Sequence, residues 1–170
     1  NNMGYGSFTS TGNYNVSGNI MSLLYSDNFL NQTTLPTLIT SGYGAGSFGY
    51  LFGRSNTKLV SAKNLILPAT TLAQSCYEGM FYRCTSLTTA PELNATTLAE
   101  WCYKYMFGGC TSLTTAPALP ATTLAMGCYD FMFQGCTGLT TAPELPATTL
   151  SSYCYESMFQ NCSLLNYIKA

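Results

Sequence analysis

The chain has 170 residues, a formal net charge of −1 and only 8% charged residues. That length supports one domain with its own core, and the near-neutral balance excludes a nucleic-acid binder, which needs a basic face to offset phosphate. With 14% aromatic residues the chain is not disordered either, since disorder couples high charge to few aromatics.

Residues 1–48 contain no cysteine and are rich in Gly, Asn, Ser and Tyr. Within them, Asn13 to Tyr25 carries Val16, Ile20, Met21, Leu23 and Leu24. This pattern predicts a strand, a tight turn at Ser17-Gly18-Asn19, then a second strand or a short helix. Such a segment suits a cap that shields the first unit of a repeat array. Residues 33–67 read as a decayed first repeat: Thr33-Thr34-Leu35 echoes a later TTL, and Phe48 and Phe52 keep the spacing of Tyr77 and Phe81. The stretch from Thr37 to Ser47 is an insertion in it. The division drawn is a cap over 1–48 and a solenoid over 49–170, with a degenerate first repeat at 49–67 and regular repeats from about 68.

From Leu72 to Phe159 one pattern recurs every 26 residues, as in TTLAEWCYKYMFGGCTSLTTAPALPA. Cys76, Cys102, Cys128 and Cys154 keep that step, and so do Cys84, Cys110, Cys136 and Cys162. A fixed period of this size predicts a solenoid, in which each unit buries its apolar face against its neighbours. Comparing the copies separates fixed positions from free ones. At about 100° per residue, the fixed Leu98, Ala99, Cys102, Tyr103, Met106 and Phe107 fall on one half of a wheel. The free Glu100, Trp101, Lys104 and Tyr105 fall on the other. This predicts a helix of about ten residues with one buried face, its start marked by capping-box spacing at Thr97–Glu100 and Thr71–Gln74.

The remainder, SLTTAPELPA, predicts a turn and a very short parallel strand. Pro91, Pro117 and Pro143 limit the strand, because proline donates nothing to a ladder. Leu87, Leu93, Leu113, Leu119, Leu139 and Leu145 point inward. The fold class is therefore an α/β repeat solenoid, with short parallel strands on one side, short helices on the other and an N-terminal cap.

Eight cysteines invite a disulfide reading, but the predicted helix sets Cys102 and Cys110 roughly 12 Å apart at 1.5 Å per residue. A disulfide needs Cα atoms within about 7 Å. The cysteines are therefore expected as a core ladder of buried free thiols. A zinc site is disfavoured by the wide spacing and by the absence of histidine. After Cys162 the last unit reads SLLNYIKA, with Tyr167 and Ile168 in place of a small Thr-Ala pair. The chain stops there in mid-repeat, so it is expected to be a fragment. No apolar run reaches the roughly eighteen residues of a membrane helix.

Two surfaces are candidates for recognition. The predicted helix side stacks Trp101, Tyr105, Phe131 and Tyr153 on its free half, and clustered exposed aromatics mark contact sites. The strand side stacks Thr89, Thr115 and Thr141 in one row, with Glu92 and Glu144 beside it. A further row, Glu78, Lys104, Asp130 and Glu156, predicts weak surface ion pairs. Catalysis is not expected: without histidine, Ser-His-Asp and Cys-His sites and the His zinc motifs are absent. The seven carboxylates mostly repeat at the periodic step or sit on the free face. No cofactor or metal is expected.

The repeat resembles the BspA-like leucine-rich repeats of bacterial surface proteins. Met106-Phe107-Gly108-Gly109-Cys110-Thr111-Ser112-Leu113 matches their Ala-Phe-x-x-Cys-x-x-Leu segment closely. The chain departs from them by about three residues per repeat and by Leu-x-x-x-Cys in place of Val-x-x-Ile. It is similar to the 26-residue variant, and SGNIMSLL is similar to the segment before the array. The resemblance implies a leucine-rich-repeat type of solenoid, a secreted or cell-surface location in a bacterium, and a non-catalytic adhesion or protein-interaction role. Its partner would be a host extracellular matrix protein, a mucin, or another surface protein or glycan. The alternative is a structural spacer or stalk that holds another domain.

Overall fold

The computed structural model describes residue 8 and residues 10–25, 27–36, 46–54 and 56–170. The predicted insertion over 37–47 lies mostly outside these residues. Strand β1 (Tyr14–Asn19) leads directly into a 3-10 turn (Ile20–Leu23), and β2 (Leu59–Ile66) follows. β1 pairs in parallel with β2, with Tyr14 opposite Leu59 and Asn19 opposite Ile66. Ser17-Gly18-Asn19 thus belongs to the strand rather than to a tight turn. Asn19 ends it by accepting the Met21 N–H on its side chain at 2.9 Å, a capping bond that starts the 3-10 turn. Ile20 and Met21 are buried at that corner. Asn56, itself buried, fastens the cap to the stack: its amide reaches the Phe8 carbonyl and the Tyr14 hydroxyl, and its oxygen accepts from the Lys58 and Leu59 N–H groups.

From Gly46 onward the chain winds in stacked coils, and the regular ones advance by one repeat each. The predicted α/β solenoid of leucine-rich-repeat type is overturned here: the described residues contain no α-helix and one two-stranded sheet. Where a helix was expected, the backbone makes overlapping β-turns. Cys102, Lys104, Met106, Gly108 and Cys110 donate to the carbonyl three residues back, at 3.0 to 3.3 Å. The alternate residues Trp101, Tyr103, Tyr105, Phe107 and Gly109 donate instead to Met126, Cys128, Asp130, Met132 and Gln134 of the next coil, at 2.7 to 3.0 Å. A helix would keep every one of these bonds within its own turn.

A positive φ recurs every fourth residue, at Trp101 (53°), Tyr105 (55°) and Gly109 (74°). In the turns Ala99–Cys102 and Tyr103–Met106 the positive-φ residue stands third, as in a type II turn. The buried residues come in pairs at a four-residue step: Cys102 and Tyr103, Met106 and Phe107, then Cys110. The wheel could not separate this from a helix. A step of about 90° per residue places the fixed and free positions on opposite halves just as the helical 100° does, and ten residues are too few for the two to diverge.

The expected strand in each repeat is reduced to isolated parallel bridges, Ser61 to Thr89, Thr115 to Thr141 and Thr141 to Tyr167. Pro91, Pro117 and Pro143 stand two residues beyond the threonines and lack the N–H that would extend the ladder. A second set of bridges joins Thr34 to Thr71, Thr71 to Thr97, and Thr123 to Thr149. Thr71 and Thr97 therefore link coils rather than cap helices.

The core is a set of ladders along the stack. Phe52, Phe81, Phe107, Phe133 and Phe159 stack ring on ring at 5.5 to 5.8 Å, and Tyr77, Tyr103, Tyr129 and Tyr155 at 5.8 to 5.9 Å. Each aromatic contact adds roughly 0.5–1.5 kcal/mol beyond the area it buries. Met80, Met106 and Met132 and Leu87, Leu113 and Leu139 are fully buried beside them. All eight cysteines are free; seven are buried and Cys162 is half-buried. The thiols of Cys84, Cys110, Cys136 and Cys162 each lie 3.1 to 3.2 Å from the carbonyl of a phenylalanine one coil back, as S–H donors. Burial pushes the Cys84 and Cys136 thiols up to about 12, so they stay protonated and unreactive in the fold.

Candidate ligand-binding surface

The turn geometry decides which side chains face outward. In every four-residue step two residues enter the core and two do not, and one of the outward two has positive φ. Trp101, Tyr105, Phe131 and Tyr153 all occupy that position, with φ between 53° and 60°. This region disfavours a side chain by about 1–2 kcal/mol per residue, and bulky residues most. Glycine fits it without strain, and Gly79 and Gly127 stand at equivalent places in other coils. The bulky aromatics are therefore not what the backbone would select.

The four do not form one cluster. Tyr105 and Phe131 stack with ring centroids 4.8 Å apart and planes within 11°. Tyr82, which the sequence did not single out, meets Tyr105 edge-on at 5.6 Å, and Tyr50 meets Tyr82 at 6.1 Å. Cations stand over this column: Arg54 over Tyr50, Arg83 over Tyr82 and Lys104 over Tyr105, at 5.2 to 5.7 Å. Trp101 belongs to a separate column four residues away. Its indole lies across Gly127, where a Cβ would come within 2.3 Å of Cδ1. Tyr153, at the next level of that column, is 63% exposed.

Between the columns runs the charged row. Lys104 Nζ lies 2.9 Å from Asp130 Oδ2, and the Asp130 side chain is only 7% exposed. The expected weak surface pair is thus a largely desolvated one. Asp130 Oδ1 is buried with no hydrogen-bond partner. Glu78 sits one coil earlier. Burial raises its carboxyl above the usual range, opposed by bonds from Ser75 and the Tyr50 hydroxyl and by the Lys104 charge.

On the opposite side Thr89, Thr115 and Thr141 are exposed, in line with Glu92 and Glu144. Glu144 pairs with Lys169 at 2.5 Å. Glu92 lines a shallow groove with Lys63, Ile66 and Asn94. The bridged Thr71, Thr97, Thr123 and Thr149 make a second exposed threonine row, missed because TTL was read as the start of a helix. The cysteine ladder from Cys76 and Cys84 to Cys154 and Cys162 is internal or half-buried and forms no part of either surface.

No family model matches the chain, and no curated protein or solved structure matches it. No helix among the described residues is long and apolar enough to cross a membrane.

Proposed function

We propose that the chain is a non-catalytic recognition module of a bacterial surface protein, secreted or held at the cell surface. Its partner is a host matrix protein, a mucin, or another surface protein or glycan, contacted through Trp101, Tyr105, Phe131 and Tyr153. One observation carries this reading. Large aromatics occupy strained positive-φ sites on an outer face where glycine is free of cost; packing between coils accounts for part of this at Trp101, Tyr105 and Phe131, and strain beyond what packing explains points to use. Tyr153 is the clearest case, being mostly exposed. The bacterial and extracellular setting rests on the resemblance of the repeat.

The spacer reading draws on a different observation. Tyr105 and Phe131 cover each other's faces, so part of the aromatic surface is already occupied in holding the coils together.

The test is binding by biolayer interferometry to a panel of matrix proteins, mucins and glycans. The intact chain should give a saturable signal with a micromolar or tighter constant. A triple variant, Trp101→Gly, Tyr105→Gly and Phe131→Gly, leaves the turn backbone at ease and should weaken that signal at least tenfold. A flat response from the intact chain overturns the adhesive reading and leaves the spacer.

A further inference from the structure

We infer that Asn94 is an acceptor site for an N-linked oligosaccharide. The inference rests on the cell-surface part of the reading above, and not on what the aromatic face binds. The chain holds four Asn-x-Ser/Thr triplets with no proline in the middle, at Asn15, Asn31, Asn94 and Asn161. Such a triplet alone is a weak signal, because a chain rich in Asn, Ser and Thr acquires it by chance. Asn94 differs from the other three. Glu92 stands two residues before it, giving Glu92-Leu93-Asn94-Ala95-Thr96, whereas Asn13, Phe29 and Phe159 hold that place in the others. Asn94 also breaks the repeat: the equivalent positions are Pro68, Pro120 and Pro146.

The fold presents this segment to a transferase. Glu92, Asn94 and Thr96 are exposed, while Leu93 and Ala95 between them are buried. In an extended chain that alternation sets the carboxylate, the amide and the hydroxyl on one face. Residues 90–95 make no backbone–backbone hydrogen bond among the described residues. A transferase must bend its acceptor segment to bring the amide to the sugar, and this one can lift without breaking a bond between coils. The other triplets are more tightly held. Asn15 lies in β1, paired with β2. The Thr33 carbonyl accepts from the Thr70 and Thr71 N–H groups, and Asn161 sits at φ 62°. Beside Asn94 opens the groove lined by Lys63, Asn64 and Ile66, and Ile66 is 53% exposed. A first sugar laid along that groove covers Ile66 with its C–H face.

The co-substrate is an oligosaccharide linked to a lipid through a diphosphate. The Asn94 amide nitrogen attacks the anomeric carbon of the first sugar. The C–N bond forms and the bond from that carbon to the diphosphate oxygen breaks. One amide proton passes to a base of the transferase, and the lipid diphosphate leaves. The glycan stands on the threonine side, away from Trp101 and Tyr105, so it adds bulk and solubility without covering the aromatic columns.

The folded chain is incubated with a bacterial oligosaccharyltransferase that requires a carboxylate two residues before the asparagine, together with its lipid-linked oligosaccharide. Intact mass and peptide mapping read the product. One glycan should be added, at Asn94. Asn94→Gln should abolish the addition and Glu92→Gln should reduce it at least tenfold, both with the unfolding midpoint of the parent. An unmodified chain overturns the inference, whether or not a peptide of residues 90–98 is modified in the same mixture; modification of the peptide alone would show that the fold withholds the segment. Addition at Asn15, Asn31 or Asn161 in place of Asn94 overturns it as well. A chain that is modified at Asn94 yet binds nothing on the panel of matrix proteins, mucins and glycans would fail the adhesive reading alone.

Discussion

Neighbouring coils are joined very differently on their two sides. On the turn side a hydrogen bond crosses at every second residue, from Trp101 to Met126 through Gly109 to Gln134, and two ring ladders run directly beneath. On the threonine side the coils meet at isolated bridges such as Thr115 to Thr141 and Thr71 to Thr97, supported by fewer backbone bonds, such as Leu72 to Thr97 at 2.9 Å and Thr97 to Thr70 at 3.1 Å, and with no ring ladder between them among the described residues. Cohesion is therefore concentrated where the sequence is most aromatic. The threonine rows add a smaller number of bonds to that frame.

Substitutions test that contrast by size. Phe107 is fully buried and stacked on both faces. Phe107→Ala should cost about 3–5 kcal/mol in urea unfolding; a loss under about 1 kcal/mol would mean that the ladder is not what binds the coils. Lys104→Met leaves the Asp130 carboxylate buried and uncompensated. The expected loss is about 3 kcal/mol, largely recovered when Asp130→Asn is added; unchanged stability in the single Lys104→Met variant would show that the pair is dispensable. Gly127→Ala places a Cβ against the indole at φ 57° and should cost about 1–2 kcal/mol. Because Trp101 is the only tryptophan, its displacement should also shift the emission to the red, and unchanged emission would contradict the packing described.

A smaller effect follows from Glu78. Its folded carboxyl is raised by burial, so the folded chain holds that proton to a higher pH than the unfolded chain. Its contribution to stability is fully present below the ordinary value of 4.5 and is lost as pH rises through the folded value. Glu78→Gln should flatten the stability profile in the window just above pH 4.5; a slope identical to that of the parent would assign the dependence to another group. Smallest of all, Thr115→Ala should change stability by less than about 0.5 kcal/mol, and a larger loss would abolish the distinction between the two sides.

The sequence made the stacking register legible. The 26-residue step set which cysteine, tyrosine and phenylalanine would lie over which, and fixed positions such as Cys102, Tyr103, Met106 and Phe107 are the buried ones. The backbone conformation was not legible, since a two-in, two-out pattern over ten residues fits a step of four as well as one of 3.6. The discriminating cue was glycine. Gly79, Gly109, Gly127 and Gly135 fall only on free positions at four-residue multiples, and each has positive φ, which an α-helix does not tolerate in series. The same error hid the second threonine row and made Trp101 and Tyr105 look like ordinary exposed helix residues. The desolvation of Asp130 was illegible for another reason: it depends on a lysine 26 residues away folding down over it.

Alternating hydrogen bonds also make the molecule a ruler. Every regular coil donates to its successor the same set of bonds that it accepts from its predecessor, so its two edges are complementary. Excising residues 94–119 would join Leu93 to Pro120 and bring together edges that already match. The length would fall by one coil spacing, about 4.8 Å as between hydrogen-bonded strands, while the conformation of the coils on either side stayed as it is. Reach along this axis can thus be set by copy number alone, in steps finer than the width of a single helix, with no new interface to invent.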